Sequence, residues 1–300
     1  MKASLIRLAL AISLCGPLLP ALATPLNPQT PEGAIAATRK IQCSLRDLQP
    51  TYFTWEGEAY SRRQGEADKR LFRVAGMNVR HCISVDGGRK GQGYRLLSRE
   101  VMLYLDPQTG APLSRWLNPW LQREVEVQHV ANDPVNQPPQ FPFQEDGSPA
   151  ARWLAREQAG QWFQTLTIPL FYQNPLQGQY QRYVGGAYHA TEMFNFTGSV
   201  ASLLDPNSAS SADVKVGWVR LSDWLPWMEM QGREGTIYIH AAGQKVAGLT
   251  DLPPVLQQYL RDQAPAFQLP PPADDARPNE TSWTVFQKKI RGEVLRRGGH

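Results

Sequence analysis

From Trp55 onward, apolar and polar residues alternate with a period of two, the spacing of a strand with one buried side. The alternation recurs in residues 53–62, 69–85, 93–105, 112–118, 123–130, 151–158, 161–172, 187–197, 214–221 and 235–240. Turn-forming groups separate the runs, among them Asp86-Gly87-Gly88, Asp106 to Gly110, Glu145-Asp146-Gly147 and Glu157 to Gly160. Two gaps are short enough for hairpins, joining 93–105 to 112–118 and 151–158 to 161–172. The phase of the second run shifts at Gly76, which predicts a bulge there. Of the longer connections, 131–149 is rich in proline and predicts an irregular but ordered segment, whereas 203–213 is small and polar and predicts a mobile surface loop.

Helical signals stand near the ends. Residues 33–48 predict one short helix before Pro50. Asp251 precedes prolines of a first turn, with Val255, Leu256, Tyr259 and Leu260 on one face. A Pro-rich strap, 265–278, leads to a last helix from about Ser282, with Trp283, Phe286 and Ile290 at i, i+3 and i+7. Strands in sequence with short turns give a mainly β fold, not βαβ units. The expectation is a single large antiparallel meander, a curved sheet or barrel-like body of calycin-like form, with a few peripheral helices. One β-rich domain over 41–292 accounts for the length, with 24–40 as an N-terminal lead and 293–300 as a basic tail.

Composition changes the picture at the start of the chain. Lys2 and Arg7, an apolar run from Leu8 to Leu19 and the small residues of Ala21-Leu22-Ala23 have the layout of a signal peptide, cleaved after Ala23. The apolar run is too short to span a bilayer, which takes about 20 residues. A mature chain with no transmembrane segment, periplasmic or secreted, is expected. Export leaves two cysteines, Cys43 and Cys82. An oxidising compartment makes a disulfide between them the plain expectation, with two buried thiols as the alternative. Loss of Lys2 and Arg7 lowers the excess of bases from four to two. The last fourteen residues carry Lys288, Lys289, Arg291, Arg296 and Arg297 against Glu293, more than that whole excess, so the body is slightly acidic and nucleic acid is excluded as the main partner. Nine Trp, ten Tyr and ten Phe are enough for a large core, and intrinsic disorder is excluded.

Candidate chemistry follows from strand faces. In the second run Asn78, Arg80, Cys82 and Ser84 share one side and Met77, Val79, His81, Ile83 and Val85 the other. If the polar side is the interior, Asn78 and Arg80 point at a ligand; otherwise the strand is an ordinary half-solvated one. In 187–197, Tyr188, Ala190, Glu192, Phe194 and Phe196 share a face. A carboxylate among aromatics needs a partner, because an unpaired buried charge is costly. Arg220, on the face of Val214, Val216 and Trp218, is the natural one. The pair is either structural or part of a tuned site, with Glu192 as the candidate catalytic group and Tyr188 and Arg220 as ligand contacts. Trp224 and Trp227 lie at a break before and after Pro226, as a core plug or as the wall of a pocket for an apolar or aromatic compound. His129, beside Val125 and Val127, reads as a core histidine, and no His or Cys spacing signals a metal. No nucleotide or other cofactor motif is present.

Several stretches, taken in order, resemble a known bacterial family. They are Gly76 to Arg80, Ser98-Arg99-Glu100 through Tyr104 to Pro107, His129 to Pro134, Trp224 to Met228 and Pro278 to Thr284. The family is the one called domain of unknown function 1838, and the likeness runs from about residue 40 to 290. It implies a single domain and brings no reaction. The residues themselves point to a small-molecule site in the β-body, for binding or for a cofactor-independent proton-transfer, lyase or hydrolytic step. The competing class is a structural or interaction protein of the cell envelope.

Overall fold

Two antiparallel meanders, one from each half of the chain, meet where the first and last strands pair. The computed structural model describes residues 26–173 and 186–297. The expected signal segment 1–23 and the side chains of the basic tail 293–300 fall outside the described residues. Helix α1 (Pro31–Gln42) precedes β1 (Thr51–Arg62), β2 (Lys69–Asp86) and β3 (Gln92–Leu105). The short strands β4 (Arg115–Asn118), β5 (Arg123–Glu126), β6 (Val130–Asn132) and β7 (Arg156–Gln158) follow. The second meander is β8 (Gln161–Gln173), β9 (Ala187–Ser199), β10 (Lys215–Ser222) and β11 (Thr236–Val246), with the one-turn helix α2 (Val200–Leu204) after β9. Helices α3 (Pro254–Asp262) and α4 (Ser282–Arg297) close the chain.

The nine-stranded sheet runs in the order β6-β3-β2-β1-β11-β10-β9-β8-β7 and does not close into a barrel. It is nevertheless strongly rolled. Five strand spacings separate β3 from β9, roughly 24 Å in a flat sheet, yet Glu100 of β3 and Glu192 of β9 line one cavity. The gap between the sheet edges is bridged by the segment before α4. Glu280 donates its N–H to the Pro134 carbonyl (2.9 Å), and Asn279 and Asn136 exchange two hydrogen bonds (2.7 and 2.8 Å). Beyond this bridge, Trp283 of α4 meets the Tyr188 ring of β9 at 4.7 Å.

Pairing register fixes what faces inward, since residues directly opposite on neighbouring strands share a side. Arg80, Asn78, Gly76, Val74 and Phe72 face the interior with Ser98, Glu100, Met102 and Tyr104 of β3. Phe53 and Trp55 of β1 join them, as do Lys245 of β11, Val216, Trp218 and Arg220 of β10 and Phe196, Phe194 and Glu192 of β9. The opposite face of β1–β3 carries Tyr52, Met77, Val79, Val101 and Leu103 and packs under Leu252, Leu256 and Leu260 around α3. Both sides of β2 are therefore buried.

That double burial explains one correction. The bulge expected at Gly76 is absent there: Gly76 pairs regularly with Trp55, and the register instead slips opposite Ala59 and Tyr60. Gly76 is needed because the Trp55 indole lies flat against it, and an added Cβ would stand 2.2 Å from Trp55 Cε2. The expected hairpin between 93–105 and 112–118 does not form either. Residues 115–118 pair with β5 in a separate two-stranded sheet, leaving one bridge between Leu105 and Pro112. The other expected hairpin does form, between β7 and β8.

Helix α1 begins where Thr30 accepts the Gly33 N–H (3.1 Å) and Pro31 takes the first turn, a cap worth about 1 kcal/mol. Ala37 and Ile41 pack on Phe53, Phe196 and Val216, so α1 covers one end of the inner face. Its C-terminal carbonyls are capped by Lys245, whose Nζ donates to Lys40, Ile41 and Cys43 (2.9, 3.1 and 2.8 Å). Cys43 and Cys82 are joined in a disulfide across 39 residues of sequence. The loop 203–213 is pinned here and does not hang free, contrary to its polar composition. Ser211 N–H donates to the Lys40 carbonyl (3.1 Å), Leu45 N–H to Ala209 (2.8 Å), and Ser211 is fully buried. Among the described residues no helix is long and apolar enough to cross a membrane.

Candidate functional site

Between the α1 end and a tryptophan-rich end, the inner face leaves a cavity of about 410 Å³. The tryptophan-rich end is a packed plug: the Trp227 ring sits 5.7 Å from Phe72, 5.3 Å from Tyr104 and 6.1 Å from Trp116. Trp224 packs on Trp120 and donates its indole N–H to the Arg233 carbonyl. Both expected tryptophans thus belong to the core, and it is Leu225 and Pro226 between them that reach the cavity wall. Trp55 and Trp218 form the floor, with their rings 6.2 Å apart. Ile168, Leu170 and Tyr172 of β8 form one side, and Trp283 with Thr281 and Ser282 the rim.

Four charged side chains line this space: Glu280 at the rim, paired with Lys288, and Glu100, Glu192 and Arg220 deeper in the apolar surround. Glu192 and Arg220 are directly opposed on β9 and β10 and form the expected ion pair. Arg220 also donates to the Tyr188 hydroxyl (3.1 Å). Burial works against the guanidinium charge, but the Tyr188 and Glu192 oxygens overcome it and hold the pKa above its ordinary value. Strand alternation alone gave no signal for Glu100, which stands on β3. It faces Asn132 on β6 and accepts the Asn132 amide at Oε1 (2.6 Å). Burial, and after it the nearby Glu192 charge, raises the Glu100 pKa above the usual carboxylate range. Tyr104 on the next inward position of β3 but one is raised by burial as well.

Asn78 and Arg80 share the inner face but do not line the cavity. Arg80 donates to Asn78 Oδ1 (2.6 Å) and to Gln42 of α1, and its guanidinium lies 4.6 Å over the Phe53 ring. Burial lowers its pKa to about 10. This cation is spent on holding α1 to the sheet. His129 accepts the Tyr104 N–H at Nδ1 (3.1 Å), and burial pushes its pKa down to about 4, the state of a neutral core histidine. Among the described residues no three His, Cys, Asp or Glu side chains converge as a metal site would need.

Three polar atoms of the lining are buried without a partner: the indole nitrogens Nε1 of Trp55 and Trp218, and Asn132 Oδ1. Such groups normally find hydrogen bonds. The Trp55 nitrogen lies against Gly76, and the Asn132 oxygen belongs to the amide that bonds Glu100.

A family model described as protein of unknown function (DUF1838) matches residues 48–290, most of the chain. The chain belongs to that family. No curated protein matches it. The stretches by which the sequence resembles DUF1838 fall largely on the cavity: Glu100 and Tyr104, Asn132, Leu225 and Pro226, and Asn279 to Trp283 all line it. In the DUF1838 chain, then, residues 279–283 at the start of α4 and the β3–β6 edge are cavity walls as much as fold. The likeness held the signal for Glu100 and Asn132 that strand alternation lacked.

Proposed function

We propose that this protein is exported and takes an apolar or aromatic small molecule into the half-barrel cavity, between the tryptophan floor and the β8 wall. The observation that carries the reading is the partly open, largely apolar cavity holding Glu100, Glu192 and Arg220 on three different strands. Ligand pockets have this make-up, an apolar lining with a few convergent polar groups. A solid, side-chain-filled interior would have favoured an envelope protein with no ligand.

Two carboxyls in unlike settings also suit proton transfer. Glu192 is anchored by a guanidinium, while Glu100 has an amide as its only direct bond among the described residues. A cofactor-independent step would use one as acid and the other as base, with Arg220 available to a developing negative charge. Native mass spectrometry of protein purified from its own host tests the binding claim. A retained organic molecule, displaced when Trp218→Ala opens the floor, supports it; bare protein that binds nothing from a small-molecule extract of that host rejects it. Once a substrate is known, Glu192→Gln should abolish turnover while the folded spectrum persists, and undiminished turnover would remove Glu192 from the chemistry.

A further inference from the structure

The charges in the cavity do not balance, and the imbalance says what kind of molecule fits. Arg220 already has its counter-ion in Glu192. Glu100 has no ion-pair contact: its direct partner is the neutral Asn132, and Arg220 and Arg80 act on it only from a distance, outweighed by its burial. Six aromatic rings, those of Trp55, Tyr104, Tyr172, Tyr188, Trp218 and Trp283, line the same space. Their faces carry the negative end of the ring quadrupole and attract cations. Asn132 Oδ1, in a residue only 5% exposed, adds an unpartnered acceptor next to the carboxyl. An anion would meet a spare carboxyl and no spare base.

Resting on the reading that the cavity is a ligand site, we propose that its ligand is an organic cation, an amine or ammonium on an apolar or aromatic body, with Glu100 as counter-ion and Asn132 as second acceptor. The ammonium head supplies the donors that Glu100 and Asn132 lack. Its apolar body lies along Ile168, Leu170 and Tyr172. Fixing Glu100 as a carboxylate costs desolvation, and the incoming cation offsets it.

Three probes of one size separate the charge classes: benzylammonium, benzyl alcohol and benzoate, titrated into the mature protein at neutral pH and followed by tryptophan fluorescence and calorimetry. The ammonium should bind at least about tenfold tighter than the alcohol, or 1.4 kcal/mol, and benzoate weakest. Glu100→Gln, nearly isosteric, should bring the ammonium to within about twofold of the alcohol. Glu192→Gln frees Arg220 and should admit benzoate, which gives a second test if the first variant does not fold. Equal binding of ammonium and alcohol, or tightest binding of benzoate to the native protein, overturns the cation while the cavity reading stands. If none of the three binds, both readings fall.

Discussion

Arg80 and Arg220 sit on the same face of the same rolled sheet, both half-buried, and they do opposite things. Arg80 ends against α1, with Gln42, Asn78 and the Phe53 ring around it and no carboxylate in contact. Arg220 ends at a cavity, with Glu192 and Tyr188 as partners. The strands deliver both guanidinium groups in the same way. What differs is the cover: a disulfide-tied helix over one, and open space under residues 279–283 over the other. A polar inward position on a sheet is thus a site only where nothing else in the chain has been placed to satisfy it.

The largest test of this contrast is at the closed end. Joining Cys43 to Cys82 constrains a loop of 39 residues, and removing such a link costs about 2–4 kcal/mol. Cys43→Ala with Cys82→Ala should lower the urea midpoint by that amount and leave probe binding in the cavity within about twofold. A variant that keeps its stability but loses binding would show that the two ends are one unit. The next effect is smaller. Arg220→Met strands the Glu192 carboxylate in an apolar surround and should cost about 2–3 kcal/mol, most of it recovered by adding Glu192→Gln. Arg80→Met leaves two neutral amides unpaired, costs about 1–2 kcal/mol, and has no single carboxylate whose removal rescues it. Chemical unfolding of the single and double variants reads the difference; equal rescue at both positions would erase it.

Much of the fold was legible because period two survives wherever one side of a strand faces solvent or the outer helices. The limits of β3, β8, β9 and β10 fall within two residues of the alternating runs. The phase error at Gly76 arose where β2 is covered on both sides, so apolar residues at successive positions erase the alternation. The Glu192–Arg220 pair could be anticipated because each residue broke an apolar face and the two have opposite charge. Glu100 could not, because its meaning comes from the roll of the sheet and from Asn132, a cross-strand neighbour 32 positions away. Long-range register is not written in local spacing. The 203–213 segment failed for the same reason: its serines look like loop residues, and only the exposed carbonyls at the end of α1 turn them into an anchor.

The smallest effect sought is also the one that sets the two ends against each other by sign. At the closed end, burial and the nearby charges of Arg80 and Lys40 bring Lys245 down to about 7. The unfolded chain holds that proton to about 10.4, so between these values the unfolded state binds more protons and stability rises with pH. At the cavity, Glu100 is shifted the other way, so the folded state keeps a proton that the unfolded chain has released. Its contribution is full below the ordinary carboxylate range and is lost as pH rises through the folded value. His129, depressed to about 4, affects only the acid side, where stability falls as pH drops from about 6.5 toward that value. Unfolding free energies of the native protein, Lys245→Met and Glu100→Gln across pH 5 to 9 separate the terms. Relative to the native curve, Lys245→Met should lose the rise above neutrality and Glu100→Gln should lose a fall. Identical slopes in all three would mean that neither buried group titrates differently once the chain unfolds, and the contrast between a sealed end and a ligand-ready one would then have no electrostatic content.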